Sequence, residues 1–165
     1  MQVTFKGSPI ETNGNLPIVG KELPQFKLTD SDGKSFSNAD LVDHVTVLSI
    51  VPNIDTSVCD AQSKAFHEKV SQLDGVQLAT ISVNTAEEFN NWCAANGIEM
   101  RTVPDSDRSF GKALGLYVPD KDIIARAVIV VDQDGKITYE QLVPEIAQEP
   151  DYDQAVEAAK EALVA

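Results

Sequence analysis

The run Val45-Thr46-Val47-Leu48-Ser49-Ile50-Val51, followed at once by Pro52-Asn53-Ile54-Asp55-Thr56-Ser57-Val58-Cys59, decides how this chain is read. An unbroken series of β-branched and aliphatic residues describes a buried strand, and Pro52 stops it because proline has no N–H to give the ladder. A helix is expected from Ser57 to Leu73, because apolar side chains recur at Val58, Ala61, Ala65, Phe66, Val70 and Leu73 with a helical period. Cys59 therefore falls where that helix begins. A thiol in such a place lies near unpaired backbone N–H groups and the positive end of the helix dipole, and both favour thiolate over thiol.

Working outward, the pattern alternates. Towards the N-terminus, Val3-Thr4-Phe5-Lys6 and Pro9-Ile10-Glu11-Thr12 flank a Gly7-Ser8 turn and predict a β-hairpin, and a second pair of short strands is expected around Asp32-Gly33. Towards the C-terminus, Val76–Val83 reads as a strand, and Thr85 with Glu88 three residues on forms a capping-box signature for a helix ended by Gly97. That helix carries Phe89, Trp92 and Cys93. An irregular stretch follows, with a short helix over Phe110–Leu116. Ala127–Val131, the Asp132-Gln133-Asp134-Gly135 turn and Lys136–Val143 then read as a hairpin, and a last helix puts Tyr152, Ala155, Val156, Ala159 and Leu163 on one face. This order implies an α/β fold with a central mixed β-sheet covered by helices. No repeat or linker interrupts it, so a single domain over residues 1–165 is expected.

With 26 acidic and 13 basic side chains the net charge is −13, a surface that repels nucleic acid and anionic membranes. The N-terminal stretch shows no basic segment before an apolar core, and no apolar run approaches bilayer length. A cytoplasmic protein is expected, where cysteine pairs serve catalysis or metal binding more often than structure. The spacings of His44, Cys59, His67 and Cys93 fit no zinc-ligand pattern, and no Cys-x-x-Cys occurs. Asp30-Ser31-Asp32-Gly33 and Asp132-Gln133-Asp134-Gly135 lack the remaining ligands of a calcium loop and read as turns. No metal and no cofactor is expected. His67, about 12 Å along the helix axis from Cys59, is too far to be its base and reads as a helix-surface residue.

A reactive sulfur needs a cation near it, and the chain has three arginines, Arg101, Arg108 and Arg126. Arg126 heads the apolar run Ala127–Val131, where burying its charge is costly unless something pairs with it; the alternative is an edge position with the guanidinium in solvent. Thr56, three residues before Cys59, is equally readable as a helix N-cap, as are Asp55 and Ser57. Cys93 is readable as an ordinary buried cysteine.

Pro52-x-x-x-Thr56-x-x-Cys59 at the end of a buried strand resembles the peroxidatic-cysteine motif of the peroxiredoxins. Its longer form, Val51 to Cys59, resembles that of the bacterial thiol peroxidases, which are atypical two-cysteine peroxiredoxins. Ala125-Arg126-Ala127 before a hydrophobic strand is similar to that family's active-site arginine segment. Asn91-Trp92-Cys93-Ala94-Ala95-Asn96-Gly97 is similar to its helical resolving-cysteine segment, and Leu142–Ile146 and Glu149–Tyr152 to its closing one. The resemblance implies a thioredoxin-like fold and a peroxidase in which Cys59 attacks the peroxide and Cys93 resolves the sulfenic acid as a disulfide. By the same resemblance Thr56 and Arg126 orient and polarise the peroxide, while Pro52 shields the thiolate.

The resemblance also implies hydrogen peroxide and alkyl hydroperoxides as substrates, thioredoxin as reductant and a homodimer. Leu116-Tyr117-Val118-Pro119-Asp120-Lys121-Asp122 departs from the pattern where many relatives carry a glycine-containing loop, which bears on the shape of the substrate pocket. Two cysteines on separate helices are expected to lie too far apart to bond without local unwinding. The rival readings are a thioredoxin-like disulfide reductase, disfavoured by the missing Cys-x-x-Cys, and a non-enzymatic thioredoxin-fold domain with a structural Cys59–Cys93 disulfide, worth about 3–4 kcal/mol for such a loop.

Overall fold

The computed structural model describes residues 1–164. Strands β1 (Gln2–Phe5) and β2 (Ser8–Glu11) form the N-terminal hairpin. Its turn is Lys6-Gly7, one residue earlier than expected: both have positive φ (51° and 84°), the two-residue geometry whose twist suits a hairpin. Strands β3 (Lys27–Thr29) and β4 (Ser35–Ser37) pair with Leu28 opposite Phe36, and a 3-10 turn over Asn38–Leu41 follows. The Asp30 carboxylate accepts the Asp32 and Lys34 amides at 2.9 Å each, so the acidic cluster at 30–33 is a turn, as expected.

β5 (Val45–Ile50) leads into α1 (Ser57–Val70), then β6 (Val76–Ser82) and α2 (Ala86–Asn96). β7 (Arg101–Pro104), α3 (Ser109–Ala113), β8 (Tyr117–Val118) and β9 (Ile123–Ile124) come next, before β10 (Ala127–Val131), β11 (Ile137–Leu142) and α4 (Tyr152–Val164). The central sheet has the order β11-β10-β5-β6-β7; β6 is parallel to β5 and β7, whereas β10 runs antiparallel to both its neighbours. It is thus a mixed sheet of thioredoxin-like form. β7 was not expected from the sequence. Its four residues, Arg-Thr-Val-Pro, carry no alternation, and the strand exists because β6 offers it a ladder at the sheet edge, where a terminal proline is tolerated.

β5 lies at the centre, buried along its whole length. Alternate residues feed two cores: Val45 and Val47 join Val128, Val130, Phe66 and Val70 beneath α1 and α4, while Leu48 and Ile50 join Ile81, Val103, Ile129 and Phe110 on the other face. α4 contributes Ala155, Ala159 and Ala162, with Tyr152 and Leu163 partly buried beside them; Val156 stands at the margin, not in the core as expected. Small residues let α4 approach the sheet closely, and the Tyr152 ring meets Phe66 edge-on at 5.0 Å.

α2 keeps its expected caps. Thr85 Oγ1 accepts the Glu88 amide, Glu88 reaches back to the Thr85 amide, and Gly97 closes the helix in the left-handed region at φ 65°. The β1 strand docks on the segment after β11, with Thr4 N–H donating to Pro144 O and Ile146 N–H to Thr4 O, both at 2.8 Å. That contact fixes the Ile146 peptide, whose carbonyl accepts from Arg126. Among the described residues no helix is long and apolar enough to cross a membrane.

Candidate active site

The loop between β5 and α1 is held by its neighbours. Asn84, just past β6, accepts the Ile54 amide at 2.8 Å through Oδ1 and donates from Nδ2 to Asn53 Oδ1 at 3.1 Å, while Ser82 Oγ donates to Pro52 O at 3.4 Å. Asn84 was not singled out in the sequence; a lone asparagine after a strand carries no distinguishing signal. The bracing seats α1 so that Thr56 is its N-cap residue and Cys59 the third helical position, where the turn's amides have no intrahelical acceptor.

Cys59 is 0% exposed and Arg126 is 2% exposed. Arg126 precedes β10, which is hydrogen-bonded alongside β5, and this adjacency carries its side chain beneath the start of α1. Its three guanidinium nitrogens each have a fixed partner: Nε donates to Ile146 O at 2.8 Å, Nη1 to Gln62 Oε1 at 2.9 Å and Nη2 to Cys59 Sγ at 3.3 Å. Among the described residues no carboxylate pairs with it. A buried guanidinium with only neutral oxygens around it is an incomplete arrangement, and the one contact able to supply a negative charge is the Cys59 sulfur.

Gln62 completes the frame. It is fully buried, and its Nε2 donates to Ser49 Oγ at 3.0 Å and to Ile50 O at 3.4 Å, linking β5, α1 and Arg126. The helical spacing puts Val58, Ala61, Ala65, Phe66, Val70 and Leu73 on one face. Phe66 and Val70 are buried as that spacing requires, but Val58, Ala61, Ala65 and Leu73 are only partly buried, and Cys59, Gln62 and Ser63 take the inner positions beside them. The missed signal was the Cys59, Gln62, Phe66 spacing of three and seven residues, which puts glutamine on the cysteine's own face.

Pro52 is buried, and Thr56 is exposed, its hydroxyl donating to Asn53 O at 2.9 Å and accepting from no helix N–H. Pro52, Thr56 and Arg126 line one cleft of about 630 Å³ together with Phe5, Val58, Lys121, Ile123 and Ile146. The divergent loop reaches this cleft through Asp120 and Lys121, and Lys121 Nζ stands 4.6 Å over the Phe5 ring. The cleft is far larger than a peroxide group and its wall is partly apolar.

Cys93 lies elsewhere. It is half-buried on α2 and lines a second cleft of about 660 Å³ with Asp30, Asp32, Lys34, Met100 and Arg101 among its neighbours. Burial pushes the Cys93 thiol above its ordinary value and the negative charge of Asp32 adds to this, while the Met100 amide opposes it. The two helices meet through a third cluster of Val51, Ile54, Cys59, Phe89 and Trp92, against which Cys93 packs. Both cysteines are free thiols. No disulfide links the two helices in this arrangement. Among the described residues no group of three His, Cys, Asp or Glu side chains converges as a metal site would require.

The Redoxin family model matches residues 18–156. A thiol peroxidase of Halalkalibacterium halodurans is 41% identical over 163 residues, covering 98% of each chain, and one of Bacillus subtilis is 39% identical over 161 residues, covering 96% of each. Among solved structures, a peroxiredoxin-like protein from Aquifex aeolicus superposes with a TM-score of 0.90 at 31% identity, covering 98% of this chain and 96% of that one.

Proposed function

This chain belongs to the Redoxin family, in its thiol peroxidase branch, and we propose that it reduces peroxides by a two-cysteine cycle run from Cys59 and Cys93 within one domain, residues 1–165. The observation that carries the reading is the buried guanidinium of Arg126, 3.3 Å from Cys59 Sγ and, among the described residues, without a carboxylate partner. A cation so placed stabilises a sulfur anion, and it also faces the oxygen on which charge develops as the O–O bond breaks.

In the first step the Cys59 thiolate attacks the terminal peroxide oxygen. An S–O bond forms, the O–O bond breaks, and the departing alkoxide or hydroxide takes a proton to leave as alcohol or water. The sulfur, oxidised by two electrons, is now a sulfenic acid. Arg126 orients the peroxide, and Thr56, at the cleft wall, turns its hydroxyl from Asn53 O to the bound oxygens. Pro52 excludes water beneath them.

In the second step Cys93 attacks the sulfenic sulfur. An S–S bond forms, the S–O bond breaks, and the hydroxyl leaves as water with the Cys93 proton. A dithiol reductant of the thioredoxin class then returns both sulfurs to thiols and is itself oxidised to a disulfide. Hydrogen peroxide and alkyl hydroperoxides are the substrates, and the part-apolar wall of the Arg126 cleft supports the latter. The resemblance to the family supports a homodimer. Two free thiols suit the reducing cytoplasm, where we place the reaction.

The test is stopped-flow fluorescence of Trp92, the single tryptophan, after mixing reduced protein with peroxide. Two phases are expected: a fast one lost in Cys59→Ser, and a second, disulfide-forming one lost in Cys93→Ser. Oxidation no faster than that of a free thiol would refute the assignment.

A further inference from the structure

Trp92 precedes Cys93 on α2, and Asp60 follows Cys59 on α1. The indole Nε1–H of Trp92 donates to Asp60 Oδ1 at 2.8 Å, and the other carboxylate oxygen of Asp60 takes an ion pair from Lys64 at 2.9 Å. Trp92 is buried and its ring packs in the same cluster as Cys59 and Phe89. One charge-assisted hydrogen bond therefore joins the residue next to one cysteine to the residue next to the other. It is made while both cysteines are unbonded, with Cys59 sealed against Arg126 and Cys93 opening into a different cleft.

We propose that Asp60 is a positioning residue for resolution: its bond to Trp92 holds α1 and α2 in the arrangement that favours attack on peroxide, and breaking it is part of forming the Cys59–Cys93 disulfide. A disulfide holds its two Cα atoms about 4.4–6.8 Å apart. The sulfenic acid formed on Cys59 begins inside the sealed frame of Arg126 and Gln62, so the first turn of α1 must leave that frame to meet Cys93. Asp60 sits in that same turn and cannot travel with Cys59 while Trp92 holds it. The tie thus sets how long the sulfenic acid persists. While it persists, a second peroxide can oxidise it to a sulfinic acid, transferring one oxygen to sulfur and leaving as alcohol or water.

The proposal rests on the two-cysteine cycle above, and the experiment keeps the two apart. Reduced protein is mixed with peroxide, quenched by acid at intervals and alkylated. Mass spectrometry then counts sulfenic, disulfide and sulfinic species without relying on the tryptophan signal. Asp60→Ala and Trp92→Phe break the bond from opposite ends. Each is expected to leave sulfenic acid formation unchanged, to speed disulfide formation by about tenfold, the factor one such hydrogen bond carries, and to lower the sulfinic fraction. Asp60→Asn keeps an oxygen that can accept the indole N–H but not the charge, and is expected to bring the rate part of the way back to the native one. Lys64→Met removes the ion pair but not the indole bond, and is expected to change nothing. Disulfide formation left unchanged or slowed in both Asp60→Ala and Trp92→Phe would overturn the proposal, as would Lys64→Met matching Asp60→Ala. Failure of the unaltered protein to form a sulfenic acid would instead strike the peroxidase cycle.

Discussion

The two cysteines occupy surroundings of opposite kind. Cys59 is sealed, at the start of a helix, with a guanidinium nitrogen 3.3 Å from its sulfur; Cys93 is half-buried near the end of a helix, in a cleft that holds charges of both signs, of which Asp32 raises its thiol. One sulfur faces a fixed cation, and the other thiol is held above its ordinary value by burial and by Asp32. That division suits a cycle whose first step needs an anionic nucleophile and whose second step must wait for the first. A Cys93 that was anionic at rest would compete for peroxide without the guanidinium to assist it. The difference shows that the tasks of two identical side chains are assigned by what faces them, not by their own chemistry.

The contrast can be broken most severely at its cation. Arg126→Ala is expected to slow attack of Cys59 on peroxide by about 100- to 1,000-fold, the usual cost of removing a donor from a preorganised site. The stopped-flow fast phase measures this, and a loss below tenfold would mean that Arg126 is not what separates the two sites. Arg126→Lys should recover little, because one ammonium cannot replace three fixed N–H partners at Ile146, Gln62 and Cys59.

At the other site the lever is pH. Burial first and Asp32 second hold the Cys93 thiol above its ordinary value, so its thiolate forms only at higher pH than in a free cysteine. The disulfide-forming phase should therefore keep accelerating with pH beyond the ordinary thiol range. Neutralising Asp32 removes one of the two causes. Asp32→Asn should move the rise to lower pH and quicken that phase below the ordinary thiol range, with the fast phase untouched. An unshifted profile would leave burial alone responsible.

The smallest effect sharpens the comparison by confining itself to one side. Gly97 ends α2 at φ 65°, where a Cβ costs about 1–2 kcal/mol. Gly97→Ala should lower the thermal midpoint by a few degrees without slowing attack on peroxide. A fast phase reduced in proportion would show that the two helices cannot be perturbed separately.

Much of this architecture was legible in the chain because it rests on local rules. The buried run from Val45, the Thr85–Glu88 capping box and Gly97 each declare themselves through neighbours a few residues away, and the structure has a strand, a cap and a helix end there. β7 failed that test because four residues at an edge need a partner strand before they have any structure. The inner face of α1 was legible at Phe66 and Val70 but not in its first turns, for a related reason. Val58, Ala61 and Ala65 are the more apolar stripe, yet Gln62 is buried because Ser49, the Ile50 carbonyl and Arg126 supply its amide with partners no helix could provide alone.

The candidate site divides in the same way. By itself the sequence determined that Cys59 stands in the first turn of a helix after a buried strand, since Pro52 and the periodicity beyond it are local facts. Composition limited the choice of arginine to three, and the resemblance of Ala125-Arg126-Ala127 pointed to Arg126. Only the tertiary structure set its guanidinium against the sulfur, because the pairing of β10 with β5 brings residues 67 positions apart to within 3.3 Å. It alone set the Trp92–Asp60 bond between the two helices and left Cys93 in a separate cleft. Helix starts and strand ends are governed by nearest neighbours along the chain. The charge that faces a buried sulfur is governed by which strands share a sheet.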